Sequence, residues 1–185
     1  PILGSKNIWE YRNKMEYTFS NKKWLTFEQL NSGEEFPDRD AAGFHISGAF
    51  DKVLDINKCH LQDDFGNQLR LFIKQYGKDN GYSFYDLKAQ EGLLRTLMIR
   101  ITSTGEIMAV MVFGENDQEK INQLMTAVEE KFPQITSLLY VINLKVNDTI
   151  SDQEIITFNG KDFIEEEMEG LKFRIGPKSF YQTNS

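Results

Sequence analysis

Few side chains in this sequence stand at spacings that do chemistry. His45 and His60 show no metal-ligand spacing. There is no phosphate-binding loop, no GxGxxG, and no serine in a nucleophile elbow. Glu165, Glu166 and Glu167 could serve as paired carboxylates for acid–base work, but three successive acids equally suit the solvated edge of a strand. Arg12 and Lys14 stand two apart, which puts both cations on one side of an extended chain. There they could grip phosphates, or simply be solvated. On residue types alone the chain reads as a binding or scaffold domain.

The elements that position these groups follow from hydrophobic periodicity. Over residues 8–20, Trp9, Tyr11, Met15, Tyr17 and Phe19 alternate with Glu10, Arg12, Lys14, Glu16 and Thr18, the period of a strand with one face in a core. A short strand is expected at 24–27, a polar surface loop at 31–42, and two short strands at 44–46 and 52–56. From Leu61 the period lengthens: Leu61, Phe65, Leu69, Phe72, Ile73 and Tyr76 mark an amphipathic helix closed by Gly77 and Asn80-Gly81. Strands at 93–102 and 106–113 join through Ser103-Thr104-Gly105, and the second, apolar on both faces, should lie centrally. Asn116 with Glu119 makes a capping box for a helix whose inward stripe is Ile121, Leu124, Met125, Val128 and Phe132 and which Pro133 ends. A buried strand at 138–144 follows. Short strands at 154–158, 163–167 and 171–175 surround Asn159-Gly160, a type I′ hairpin signal, and Glu169-Gly170. The expected fold is α+β, a split βαβ (ferredoxin-like) antiparallel sheet with two helices on one face, N-terminal strands and a C-terminal β-hairpin extension. Such a sheet leaves its other face available, and split βαβ domains often bind RNA there, although the aromatic pattern of that use is missing.

Composition sets outer bounds. The 185 residues, 26% charged and 40% hydrophobic with 4 prolines, are those of a globular domain able to bury a core. No apolar run is long enough for a membrane span and no signal peptide is recognisable, so a cytoplasmic protein is expected. The single cysteine, Cys59, cannot close an internal disulfide, in keeping with a reducing compartment. A net charge of -7 argues against nucleic-acid binding by bulk electrostatics. The charge is uneven, however: residues 1–24 hold Lys6, Arg12, Lys14, Lys22 and Lys23 against Glu10 and Glu16, while 162–169 hold five acids and no cation. A local basic face is compatible with that distribution. The chain opens at Pro1 and closes on Gln182-Thr183-Asn184-Ser185, as a processed or excised polypeptide does.

Three stretches carry a resemblance. Tyr11-Arg12-Asn13-Lys14-Met15-Glu16, then Gly43-Phe44-His45 with residues 53–61, and finally residues 176–184 occur in the order and spacing of the RNA (uracil-5)-methyltransferase family. The set spans nearly the whole chain and is closer to the ribosomal-RNA branch than to the transfer-RNA branch. It resembles the central domain of that family, over residues 1–175 (strands and loop 1–50, core 51–146, hairpin extension 147–175). Residues 176–185 then form a linker toward an S-adenosylmethionine domain that, like the N-terminal RNA-binding domain, is absent.

Several expectations follow from the resemblance. The family adds a cysteine to C6 of a flipped uracil, methylates C5 from S-adenosylmethionine and removes the C5 proton with a carboxylate; flipping is needed because a stacked base hides both carbons. None of those groups matches this chain, so no catalytic residue is assigned and the polypeptide alone is expected to be inactive. Phe180, Gln182 and Asn184 match the FxQxN signature that lines the methyl-donor and uracil pocket; a glutamine amide, donor and acceptor at once, suits either a uracil edge or a cofactor carboxylate. Cys59 stands where many members have the fourth ligand of a [4Fe-4S] cluster, or else is a buried small hydrophobe. Arg12, Lys14 and His45 are the implied RNA contacts, with ribosomal RNA favoured as partner over transfer RNA. The alternative is a non-catalytic RNA- or protein-binding module of the same fold.

Overall fold

The computed structural model describes Gly4 and residues 7–184. In chain order the elements are β1 (Lys14–Ser20), α1 (Phe27–Asn31), β2 (Ala41–Ile46), β3 (Ala49–Asp55), α2 (Asp64–Asp79), β4 (Leu94–Ile101) and β5 (Ile107–Phe113). They continue with α3 (Gln118–Lys131), β6 (Ser137–Ile142), β7 (Ile156–Gly160), β8 (Ile164–Met168) and β9 (Leu171–Ile175). Seven strands form one sheet in the order β3-β2-β1-β4-β5-β6-β7, and β8 pairs with β9 alone.

Each face of that sheet is covered by something different. Met15, Tyr17 and Phe19 of β1, Leu97 and Ile99 of β4, and Ala109, Met111 and Phe113 of β5 face the apolar stripes of α2 and α3. Met98, Met108, Val110, Val112, Leu139 and Val141 face the other way, onto Ile164 and Ile175 of the β8–β9 hairpin and onto Tyr181. This explains why all seven residues of β5 are buried. The α+β class, the mostly antiparallel sheet, the two helices on one face and the C-terminal hairpin are therefore as expected. The back of the sheet is not the available face that was expected: the hairpin and the segment after it occupy it.

The strand order also departs from a split βαβ. In that arrangement the strands flanking each helix are parallel and separated by one other strand. Here β5 and β6, on either side of α3, are adjacent and parallel, while β1 and β2 lie between β3 and β4. Periodicity identifies an element but not which edges meet. The edge of β4 is taken by β1, pairing from Lys14↔Arg100 to Thr18↔Thr96.

Local differences have local causes. The first strand starts at Lys14 rather than residue 8; Trp9 is 63% exposed, and Glu10 at φ 55 breaks the extended run. The stretch 24–27 is not a strand. Thr26 and Gln29 form a reciprocal capping box that starts α1 at Phe27. The cap of α3 is Asp117, whose carboxylate accepts the Lys120 N–H, rather than Asn116. Asn159-Gly160 is no hairpin turn: both residues pair with β6, opposite Leu138 and Ser137. The hairpin turn is Glu169-Gly170, with φ of 51 and 78, the doubly positive geometry of type I′.

Two buried arginines hold irregular chain against this frame. Arg70, fully buried on α2, donates to the carbonyls of Ala42, Ile56 and Asn57 and lies over the Tyr17 ring. Arg95 on β4 stacks on Tyr85 and donates to the carbonyls of Asn143, Lys145, Val146 and Asn147, which shapes the loop after β6. A guanidinium with five donors can satisfy several such carbonyls at once, which lysine cannot.

Candidate nucleic-acid interface

The entry to β1 and the last described residues come together although the sequence holds them far apart. The Asn13 N–H donates to the Thr183 carbonyl at 2.9 Å, and its side-chain amide donates to the Gln182 carbonyl at 2.7 Å. Ahead of it, Glu10 and Arg12 donate their N–H groups to the carbonyls of His60 and Leu61. The stretch around Arg12 is thus tied on one side to the loop that leads into α2 and on the other to residues 182–183.

Two clefts open beside this junction. One, of about 480 Å3, is lined by Glu10, Tyr11, Arg12, Asp63, Ser103 and Asn184, among others. The second, of about 460 Å3, is lined by Arg12, Lys14, Met15, Glu16, Phe44, Leu61 and Thr183. Arg12 stands between the two, its Nε donating to the Lys14 carbonyl at 3.4 Å. Lys14 is paired with Glu16 at 2.6 Å, so its charge is partly spent within the strand. His45 is exposed on β2 and lines neither cleft, although its neighbour Phe44 lines the second. Lys6, part of the basic N-terminal stretch, lies outside the described residues.

The C-terminal segment alternates. Ser179, Tyr181 and Thr183 are half-buried, whereas Phe180, Gln182 and Asn184 are exposed, Phe180 to 88%. Arg100, buried on the back face of β4, donates to the Ser179 carbonyl at 2.7 Å and to that of Pro177 at 3.5 Å. Burial lowers the Arg100 pKa and nearby Glu16 partly offsets this. Tyr181 packs against the Ile164 and Ile175 cluster. The half-buried side chains are those of Ser179, Tyr181 and Thr183, so the outward row is Phe180, Gln182 and Asn184. Sequence reading singled out that row and missed Asn13 and Arg100 as its supports. Each acts on chain 77 to 169 positions away, for which a single sequence carries no signal.

Cys59, the residue matched to a cluster ligand, lies in the core beside α2. It is 5% exposed, its backbone is gripped by Asn67 in a pair of hydrogen bonds, and its thiol meets the Tyr17 hydroxyl. Burial, then that thiol, pushes the Tyr17 pKa up. An iron–sulfur ligand bonds its thiolate sulfur to iron. This one faces a phenol inside the core, and among the described residues no group of three or more His, Cys, Asp or Glu could hold a metal ion. By itself this chain offers one of the four thiolates that a [4Fe-4S] cluster takes. That burial suits a small hydrophobe in the core.

Comparison with known proteins gives this surface a context. Over its full length the chain is 58% identical to an uncharacterized RNA methyltransferase of Porphyromonas gingivalis and 52% identical to one of Bacteroides thetaiotaomicron. It is also 31% identical to another of Chlorobaculum tepidum. The chain spans about two fifths of these relatives, 41%, 41% and 39% of their lengths. No family model matches. Among solved structures, the tRNA (uracil-54, C5)-methyltransferase of Pyrococcus abyssi, in complex with S-adenosyl-L-homocysteine, superposes with a TM-score of 0.71 at 23% identity. That match covers 97% of this chain and 39% of the other. At that identity the likeness establishes the fold. Among the described residues no helix is long and apolar enough to cross a membrane.

Proposed function

We propose that this chain is the central, RNA-positioning domain of an S-adenosylmethionine-dependent methyltransferase acting at C5 of a uridine in ribosomal RNA, in the cytoplasm. The observation that carries the reading is the junction at Asn13, which brings Arg12 and Lys14 beside residues 182–184, the end of the signature row. End-to-end likeness to proteins named RNA methyltransferases supports it. So do the three family motifs, whose set is closer to the ribosomal branch.

In this reading Arg12 and Lys14, with His45 on the neighbouring strand, contact phosphates and so set the register of the RNA without choosing its sequence. The exposed ring of Phe180 and the free amide of Gln182 suit one wall of a pocket for a flipped uracil and the methyl donor. S-adenosylmethionine supplies a methyl group on a cationic sulfur. The amides of Gln182 and Asn184 can meet its carboxylate or the uracil edge, being donors and acceptors at once. The reaction itself belongs to groups outside this chain.

The test uses the full-length protein that carries this chain, with unlabelled S-adenosylmethionine and separate ribosomal and transfer RNA transcripts made with uridine tritiated at C5. Release of C5 tritium from ribosomal RNA is expected. Release from transfer RNA alone would move the substrate assignment, and no release from either would overturn the reading.

A further inference from the structure

The alternation of residues 179–184 assigns work to residues that carry no part of the signature. An extended segment points successive side chains to opposite sides, so fixing one parity fixes the other. The fixed parity here has three independent holds. Arg100 takes the Ser179 and Pro177 carbonyls, the Tyr181 ring enters the back-face core, and Asn13 takes the Gln182 and Thr183 carbonyls. Arg100 is 5% exposed and sits opposite Lys14 in the β1–β4 ladder, so its base is set by the centre of the sheet.

We infer that Arg100 and Asn13 are positioning residues for Phe180, Gln182 and Asn184. They convert the rigidity of β1 and β4 into a defined pose of the outward row. This rests on the methyltransferase reading above. A slack segment would leave the same groups present but dispersed, and about 1 Å of misplacement can cost on the order of 100-fold in rate. Arginine suits the task because its Nη2 carries two N–H donors and reaches both carbonyls, at 2.7 Å for Ser179 and 3.5 Å for Pro177. Tyr181 contributes through its ring: its hydroxyl is buried and makes no hydrogen bond.

The experiment compares the full-length wild type with Arg100→Met, Arg100→Lys, Asn13→Ala and Tyr181→Phe, by hydrogen–deuterium exchange over 177–184 and by methyl-transfer kinetics. Arg100→Met and Asn13→Ala should raise exchange in that segment at least tenfold while the β4 and β5 amides keep their protection. They should lower kcat/KM about tenfold with RNA affinity unchanged. Arg100→Lys should recover part of both effects, and Tyr181→Phe should match wild type. Adding Arg100→Met to Gln182→Ala should cost less than the two single effects together, because part of what Arg100 positions is then already gone. Should Arg100→Met fail to fold, Asn13→Ala carries the same comparison from an exposed hydrogen bond. Unchanged exchange over 177–184, or full activity with a loosened segment, overturns the inference. Loosening together with a wild type that transfers no methyl group removes the enzymatic reading and leaves the anchoring in place.

Discussion

Asn13 donates its side-chain amide to Gln182, 169 positions later, but it does so to the backbone carbonyl. The Gln182 side chain is therefore separable from the contact that holds the segment down. Gln182→Ala should leave thermal stability within about 0.5 kcal/mol of wild type, as surface substitutions usually do. It should also lower methyl transfer by the full-length protein at least tenfold. A melting curve beside initial rates checks both, and an unaltered rate would remove Gln182 from the pocket.

Arg12 and Lys14 differ in what they have left to offer a phosphate. Arg12 lies between the two clefts, whereas Lys14 is already paired with Glu16 at 2.6 Å. Arg12→Ala should weaken RNA binding evenly across sequences and reduce the slope of log affinity against log salt by about one contact. Lys14→Ala should do less, and Glu16→Gln should strengthen binding by releasing the ammonium. Filter binding over a salt series measures all three. Equal slopes throughout would place the RNA elsewhere on the domain.

The parts of this fold that a single sequence discloses are those whose cause is local. The stripe Ile121, Leu124, Met125 and Val128 specifies α3, and the two-sided apolar run of β5 specifies its burial, because 3.6- and 2-residue periods are properties of neighbours in sequence. Thr26-Phe27-Glu28-Gln29 is a capping box by the same local rule, although the apolar Trp24, Leu25 and Phe27 also give 24–27 the look of a short strand. Strand order was not local. The edge of β4 that receives β1 looks the same in sequence as one that would receive β3. The site divides likewise: Phe180 and Gln182 were visible as a motif, and Arg12 and Lys14 as a charged face. Arg100 looked like any arginine on a strand until the segment at Ser179 was laid across it.

Asp86 ties the segment before β4 to the end of β1. Its carboxylate pairs with Lys22 at 3.0 Å and accepts the N–H groups of Lys88 and Ala89. Burial works against the charge, but Lys22 and the two amides outweigh it and bring the pKa down to about 2. A carboxylate whose folded pKa lies below its unfolded value of about 4 stabilises the fold above that value. It loses this contribution as pH falls through the folded value. Asp86→Asn should accordingly be less stable than wild type at pH 6, and the gap should close between about pH 4 and pH 2. Urea midpoints at successive pH values measure it. A gap that stays constant on acidification would mean that Asp86 acts through shape and hydrogen bonding alone.

Gly160 and Gly170 share a φ of 78 and differ in surroundings. At Gly170, in the β8–β9 turn, a Cβ would meet nothing within 4 Å, so alanine there incurs only the left-handed backbone cost of about 1 kcal/mol. At Gly160 a Cβ would run into the Thr136 carbonyl oxygen, and that backbone is held by the Lys161 N–H and by the pairing of Ser137 with Gly160. Alanine there must push β7 off β6 or distort the start of β6, whose Leu138 and Leu139 enter the cores on opposite faces of the sheet. Gly160→Ala should therefore cost several-fold more than Gly170→Ala, about 3 kcal/mol or above, with exchange rising first in β7. Equal costs for the two variants would show that β7 yields at its edge without disturbing β6, and that the collision at Thr136 is relieved by a shift of the last strand alone.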